Sequence, residues 1–164
     1  MKSSLIIFAA ALAVIAGVSA ASATSRPALA PGAKRGCTFA TLPRATPAGQ
    51  QSIYGHISSL ARKGNHYVLR FDPAWLLSGL SASRASLEDT GSGDVPNDTY
   101  TRDETHKLLT FLVPARARVT VLTHATCSMK GTVAKLAKST TPRRRFWIQV
   151  RIDTVRSIDE QYHP

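Results

Sequence analysis

The sequence predicts a mainly β protein of α+β type: a small curled sheet or OB-like barrel of five to seven short strands with one short helical insertion. Three observations carry this reading. Apolar and polar residues alternate with period two in several short segments between residues 52 and 158. Breaks rich in Gly, Pro, Asn and Asp separate those segments. The stretch from Asp72 to Glu88 carries helix signals in place of alternation. Closure of the sheet is expected because it removes exposed strand edges.

The chain opens with Met1-Lys-Ser-Ser, an apolar run over residues 5–18, and small residues from Ser19 to Ala23. One cation, a greasy segment and small side chains at alternate positions describe a secretory signal peptide over 1–23, cut after Ala20 or Ala23. The run of about 14–17 residues is shorter than the roughly 20 that span a bilayer, which favours cleavage over a retained anchor. No lipobox cysteine follows it. Residues 24–50 are crowded with Ala, Pro, Ser, Thr and Gly without periodicity and read as a flexible leader. The remainder, 51–164, is expected to form a single β-rich domain, long enough to bury a core.

Within that domain, Ser52–Leu60 sets Ile53, Gly55 and Ile57 on one face and Tyr54, His56 and Ser58 on the other. Lys63-Gly64-Asn65 reads as a hairpin turn into His66–Phe71, where Tyr67, Leu69 and Phe71 align. Asp72-Pro73 has the form of a helix N-cap followed by proline at the first helical position, so Ala74–Leu77 is expected as a short helical turn ended by Gly79. Ser81 is expected to cap a second short helix through Glu88, with Trp75, Leu76 and Leu80 plugging one end of the sheet. Loop composition covers Thr90–Asp98. Strands resume at Thr99–Thr101, Lys107–Val113 and Arg118–Thr123, while Thr132–Lys138 fits a short amphipathic helix or a strand. Phe146, Ile148, Val150 and Ile152 are expected inward, with Trp147, Gln149 and Arg151 outward, and Val155 and Ile158 mark a last strand.

The formal net charge is +11. Acids concentrate between Asp72 and Glu104, whereas between Lys107 and Arg156 the only acid is Asp153. A basic surface outside the cell attracts polyanions, so an anionic envelope polymer or acidic protein is the expected partner, and nucleic acid is disfavoured for an exported chain. The polyanion candidates are Lys135, Lys138, Arg143, Arg144, Arg145 and Arg151, with Trp147 available for stacking. Two cysteines in an exported chain suggest one disulfide, Cys37 to Cys127.

Several strings stand in an ordered series: Gly55-His-Ile-x-x-Leu60, Tyr67-x-Leu-Arg-Phe-Asp-Pro-Ala-Trp-Leu-Leu-Ser-Gly79, Glu88-Asp89, Val95-Pro-Asn-Asp-x-Tyr100, Phe146-Trp-Ile-x-Val150 and Val155-x-x-Ile158-x-Glu-Gln-Tyr162-x-Pro164. Over residues 53–164 this series resembles a group of secreted actinobacterial proteins of unknown function. The resemblance carries no activity to this chain, and Thr90 stands where glycine would be expected after the Glu-Asp pair.

Catalytic signatures are sparse. Leu77-Ser78-Gly79 lacks the flanking glycine pattern of a nucleophile elbow. Adjacent carboxylates on a strand point to opposite faces and do not converge on one bond. Glu88, Asp89, Asp94, Asn97 and Asp98 crowd oxygen ligands into a loop but miss the EF-hand spacing, and the interval His124-x-x-Cys127 is short of the ligands zinc needs. No metal and no cofactor is therefore expected. The leading expectation is a secreted, non-catalytic β-barrel module that binds an acidic or apolar partner. The alternative is a carboxylate-based extracellular hydrolase built near Asp72, Asp98 and Glu160.

Overall fold

The computed structural model describes residues 38–39, 44–104, 107–124, 127–139 and 144–162. All belong to one compact unit, Lys34–Pro164. The expected signal peptide and Cys37 lie outside the described residues, as does Arg143. In chain order the strands are β1 (Thr38–Phe39), β2 (Gln51–Lys63), β3 (His66–Ser78), β4 (Thr99–Arg102), β5 (Leu109–Pro114), β6 (Arg118–His124), β7 (Cys127–Gly131), β8 (Arg145–Arg151) and β9 (Thr154–Gln161). Helix α1 (Leu80–Thr90) lies between β3 and β4, and α2 (Val133–Ser139) lies between β7 and β8.

The sheet runs β1-β7-β6-β9-β5-β3-β2-β8, and β8 also pairs with β9. That second pairing closes a ring through β2, β3, β5, β9 and β8, so the expected curled, mainly β architecture is what forms. Strand β9 makes closure possible by dividing one edge between two parallel neighbours. Thr154 meets Leu112 of β5, and Ser157–Asp159 meet Arg118–Thr120 of β6.

Inside the ring the period-two faces meet. Leu69, Phe71, Val113, Phe146, Ile148 and Ile158 are fully buried in one cluster. A bulge in β2 keeps the hairpin in step with this core. Ile57 pairs with Phe71, Ser59 pairs with Arg70, and the extra residue Ser58 lets Ile57 and Leu60 both face inward. The ambiguous segment at 132–138 resolves as helix α2, which buries Val133 and Leu136 at i,i+3 spacing. Thr132 Oγ1 accepts from the Lys135 amide at 3.2 Å and caps its first turn.

Four expectations need correction. Asp72-Pro73 starts no helix: β3 runs through it to Ser78, with Pro73 opposite Gly55, because β2 pairs with Asp72–Ala74 and β4 takes over at Trp75–Ser78. Continuous ladder pairing outweighs a local capping signal that an extended proline also fits. Trp75 and Leu80 do not plug the sheet but stand 63% and 91% exposed. Helix α1 follows Gly79 with no side-chain cap, so Ser81 has no capping role, and the insertion count rises to two with α2. Ile152 points out, 94% exposed at the β8–β9 turn, with φ of 60°.

The outer face explains a set of buried polar residues. Gln149, Ser157, Asp159 and Thr120 lie under residues 44–45, part of the stretch that composition reads as leader. Arg44 Nε donates to Asp159 Oδ1 at 3.2 Å and its Nη2 donates to Thr120 Oγ1 at 3.3 Å. Gln149 Nε2 donates to the Ala45 carbonyl at 3.2 Å while its Oε1 accepts from Ser157 Oγ at 3.1 Å. Buried polar atoms are tolerated when each finds such a partner.

Candidate binding pocket and its polar relay

The pocket opens beside β8 at the end of the β2–β3 ladder, whose last pair is Tyr54 with Ala74. Side chains directly opposite on paired strands share a face. Tyr54 on β2 stands opposite Trp147 on β8 and Ala74 on β3. The Tyr54 and Trp147 rings pack with centroids 5.1 Å apart, tilted by 48°. Trp147 Nε1 donates to Gln161 Oε1 at 3.2 Å, which fixes the indole. Trp75, displayed because β3 continues as a strand, adds a third ring. Together with Pro73, Leu76 and Glu104 these rings line an open cavity of about 500 Å³, a size typical of small-molecule sites.

Beside the cavity the next cross-strand row is polar. His56 stands opposite Asp72. His56 Nε2 lies 3.3 Å from Asp103 Oδ2, and Arg145 Nη1 lies 2.6 Å from His56 Nδ1. Arginine has no acceptor, so Nδ1 must accept and the ring proton must sit on Nε2, donated to Asp103. Arg145, His56 and Asp103 thus form a directed relay. It joins the cavity through Tyr54, whose hydroxyl shares a hydrogen bond with Thr101 Oγ1 at 3.4 Å. Burial pushes the Tyr54 phenol above its ordinary value, against the opposing pull of Thr101 and Arg145.

The relay limits the chemistry available. Both imidazole nitrogens are engaged, so His56 has no lone pair with which to act as a general base. His56, Asp72 and Asp103 bring ligand atoms within 4.8 Å of one another and are the described group that could hold a cation. A metal-bound imidazole gives its far N–H to an acceptor. Here the far nitrogen instead accepts a hydrogen bond from Arg145, which is the opposite polarity. The residues present therefore fit a hydrogen-bonded relay better than a metal centre.

A second cluster fixes the wall that carries Glu104. Arg102 on β4 donates to Asp89 through Nε at 3.0 Å and Nη2 at 2.6 Å, and to Glu88 at 2.9 Å. Tyr100 donates to Asp89 Oδ2 at 3.2 Å. The Arg102 bonds hold the Asp89 carboxyl below its ordinary value and raise Arg102 further. Small buried residues Ala82, Ala85 and Ser86 let α1 lie close to the sheet, and this fork ties its C-terminal end to β4. Two acids at a helix C-terminus oppose the macrodipole, and Arg102 offsets them.

The structure disperses the residues proposed for polyanion binding. Lys135 and Lys138 are exposed on α2, and Arg151 is exposed at the end of β8. Arg144 Nε donates to Glu160 Oε1 at 2.6 Å, its Nη2 also binds Glu160, and it lies 5.4 Å over the Phe146 ring. Arg145 belongs to the His56 relay and Trp147 to the pocket. Among the described residues there is no free cysteine. Of the acids in the hydrolase alternative, Asp72 faces outward opposite His56, whereas Glu160 stands opposite Phe146 on the core face. Glu88 and Asp89, candidates for an oxygen-rich loop, are engaged by Arg102.

The pocket residues Tyr54, Trp75 and Glu104 and the relay residues His56 and Asp103 were not grouped by the sequence. Alternation on β2 does place Tyr54 and His56 on the outer face, and that was the available signal. Comparison with protein-family models, with curated proteins and with solved structures yields no match.

Proposed function

We propose that this protein is an exported, non-catalytic binding module whose site is the aromatic pocket of Tyr54, Trp75 and Trp147. The observation that carries the reading is an exposed Trp75 beside a cavity walled by two further rings. Contiguous exposed apolar surface around a concavity marks an interaction site, unlike a singly scattered hydrophobic residue. The relay supports the absence of catalysis, because His56 is occupied at both nitrogens. Export rests on the signal-like N-terminus and on the Cys37–Cys127 disulfide, which peptide mapping without reductant would detect. The pairing of Phe39 with Cys127 supports that bridge, since it brings the chain beside Cys37 to β7.

The chain has two tryptophans, so its indole N–H signals form a two-peak reporter. Neutral sugars, organic cations, aromatic acids and anionic polymers titrated in turn should include one class that shifts the Trp75 and Trp147 signals saturably. Trp75→Ala should abolish binding of that class by calorimetry. If no class moves either indole, the pocket is not a binding site.

A second reading is favoured by the exposure of Lys135, Lys138 and Arg151: an anionic envelope polymer held on the basic surface. Retention on a heparin column that falls steeply with salt supports it, and no retention at about 50 mM salt removes it.

A further inference from the structure

We propose that the pocket takes a small organic cation of the trimethylammonium type, caged by Tyr54, Trp75 and Trp147 and faced by Glu104. This rests on the pocket-binding reading above and names its ligand class.

The argument is one of charge against background. The chain carries a net charge of +11, yet among the described residues the only ionisable group other than tyrosine lining the cavity is the Glu104 carboxylate. The surroundings are acidic as well. Among the described residues, Asp72, Glu88, Asp89, Asp103 and Glu104 gather here with Arg84, Arg102 and Arg145. Arg102 does not cancel Glu104. Its short bonds go to Asp89 and Glu88, while Glu104 lies 3.8 Å from Nε and stays half exposed. Arg145 is directed toward His56 and Tyr54. A local excess of carboxylate in a strongly basic chain repels anions from this cavity and attracts cations.

Ring placement supplies the second half. Trp147 on β8 and Tyr54 on β2 pack together on one face, and Trp75, one residue beyond the last β2–β3 pair, lines the same cavity from β3. Aromatic faces attract a diffuse, weakly hydrated cation through their quadrupoles, most strongly for tryptophan. A compact ammonium keeps its water shell and uses hydrogen bonds, which these rings do not supply. A quaternary ammonium presents methyl groups that pack on the rings while its charge is met by Glu104. An anionic or neutral ligand uses only half of what the cavity offers.

Choline and its uncharged carbon analogue 3,3-dimethyl-1-butanol have nearly the same shape and separate charge from packing. Both are titrated into the intact chain and followed by the two indole signals and by calorimetry. Choline should bind at least about fivefold more tightly than the analogue. Glu104→Gln should weaken choline several-fold and leave the analogue unchanged, and Trp75→Ala should weaken both. Both side chains are substantially exposed, so neither variant threatens the fold. Equal binding of the two compounds, or binding of the analogue alone, overturns the cation and leaves the pocket reading standing. Choline silence with a response to another class in the wider panel does the same. Silence of both indoles to every class overturns the pocket reading itself.

Discussion

Gly55 is the position where the site is most sensitive to a single methyl group. A Cβ built there would lie 2.0 Å from the Asp72 carbonyl oxygen and 2.9 Å from Pro73 Cα. Both obstacles are backbone, so no side chain can swing away to relieve them. Reaching a contact of about 3 Å requires the strands to part by roughly 1 Å, which takes the local ladder beyond hydrogen-bonding distance. The affected pairs are Tyr54 with Ala74, Gly55 with Pro73 and His56 with Asp72. Losing two or three ladder bonds at about 1 kcal/mol each, with residual strain of about 1–2 kcal/mol, predicts a loss of roughly 3–5 kcal/mol for Gly55→Ala. Gly64 is the internal control. Its φ is +62° and nothing lies within 4 Å of a built Cβ, so Gly64→Ala meets only the left-handed backbone penalty. That penalty is about 1–2 kcal/mol. Urea unfolding of both variants at unchanged m-value measures the difference. In thermal unfolding Gly55→Ala should drop the midpoint by roughly 10–20 °C and Gly64→Ala by about 5 °C. If the two variants lose the same stability, the close approach of β2 to β3 is refuted, and with it the placement of His56 against Asp72.

Three further outcomes follow from single groups. Glu160 is 90% buried and held by Arg144 and the Leu122 amide, so Arg144→Met should cost about 3 kcal/mol in urea unfolding and exceed Glu160→Gln, which leaves behind a charge that can reach water. Arg102 holds the Asp89 carboxyl below its ordinary value, so this group adds stability above the unfolded carboxylate range near pH 4 and loses it as pH falls through the lower folded value. The melting curve of Asp89→Asn should therefore run below wild type at neutral pH and converge with it in strong acid. Ile152 is a β-branched residue at φ 60°, so Ile152→Gly should stabilise by about 0.5–1 kcal/mol in the same assay, and a loss would refute the strained turn.

What could be read from the sequence was what periodicity encodes. The alternation at 66–71, 118–123 and 146–150 identified strands because each has one face in the core and one outside. The continuation of β3 was hidden, since Asp72-Pro73-Ala74-Trp75 carries the same local chemistry as a helix start. Only pairing with β2 as far as Ala74 and with β4 from Trp75 onward decides between them. That decision determines the site, because a helical turn would have buried Trp75 and an extended one displays it. Gln149 and Asp159 were invisible for a related reason. Their alternation says outward, and their burial depends on Arg44 and Ala45, over a hundred positions earlier. The meeting of His56 with Asp103 likewise needs β4 folded back on β3, which no local pattern announces.

The pocket and the core are consequences of one closure. Trp147 belongs to β8 and Tyr54 to β2, strands nearly a hundred residues apart that pair only where the ring shuts. The same pairing sets Ile148 against Ile53 and Phe146 against Gly55 on the inner face. Core burial therefore stabilises the aromatic contact outside at no separate cost, and the bulge at Ser58 lets the inner face follow its own spacing without shifting Tyr54. A ligand held between Trp147 and Trp75 would bridge β8, β2 and β3 and so oppose opening of the ring at the β2–β8 pair. Protection of the β2–β8 amides from hydrogen exchange should rise on ligand binding more than that of β6–β7, because only the former ladder lies beneath the site.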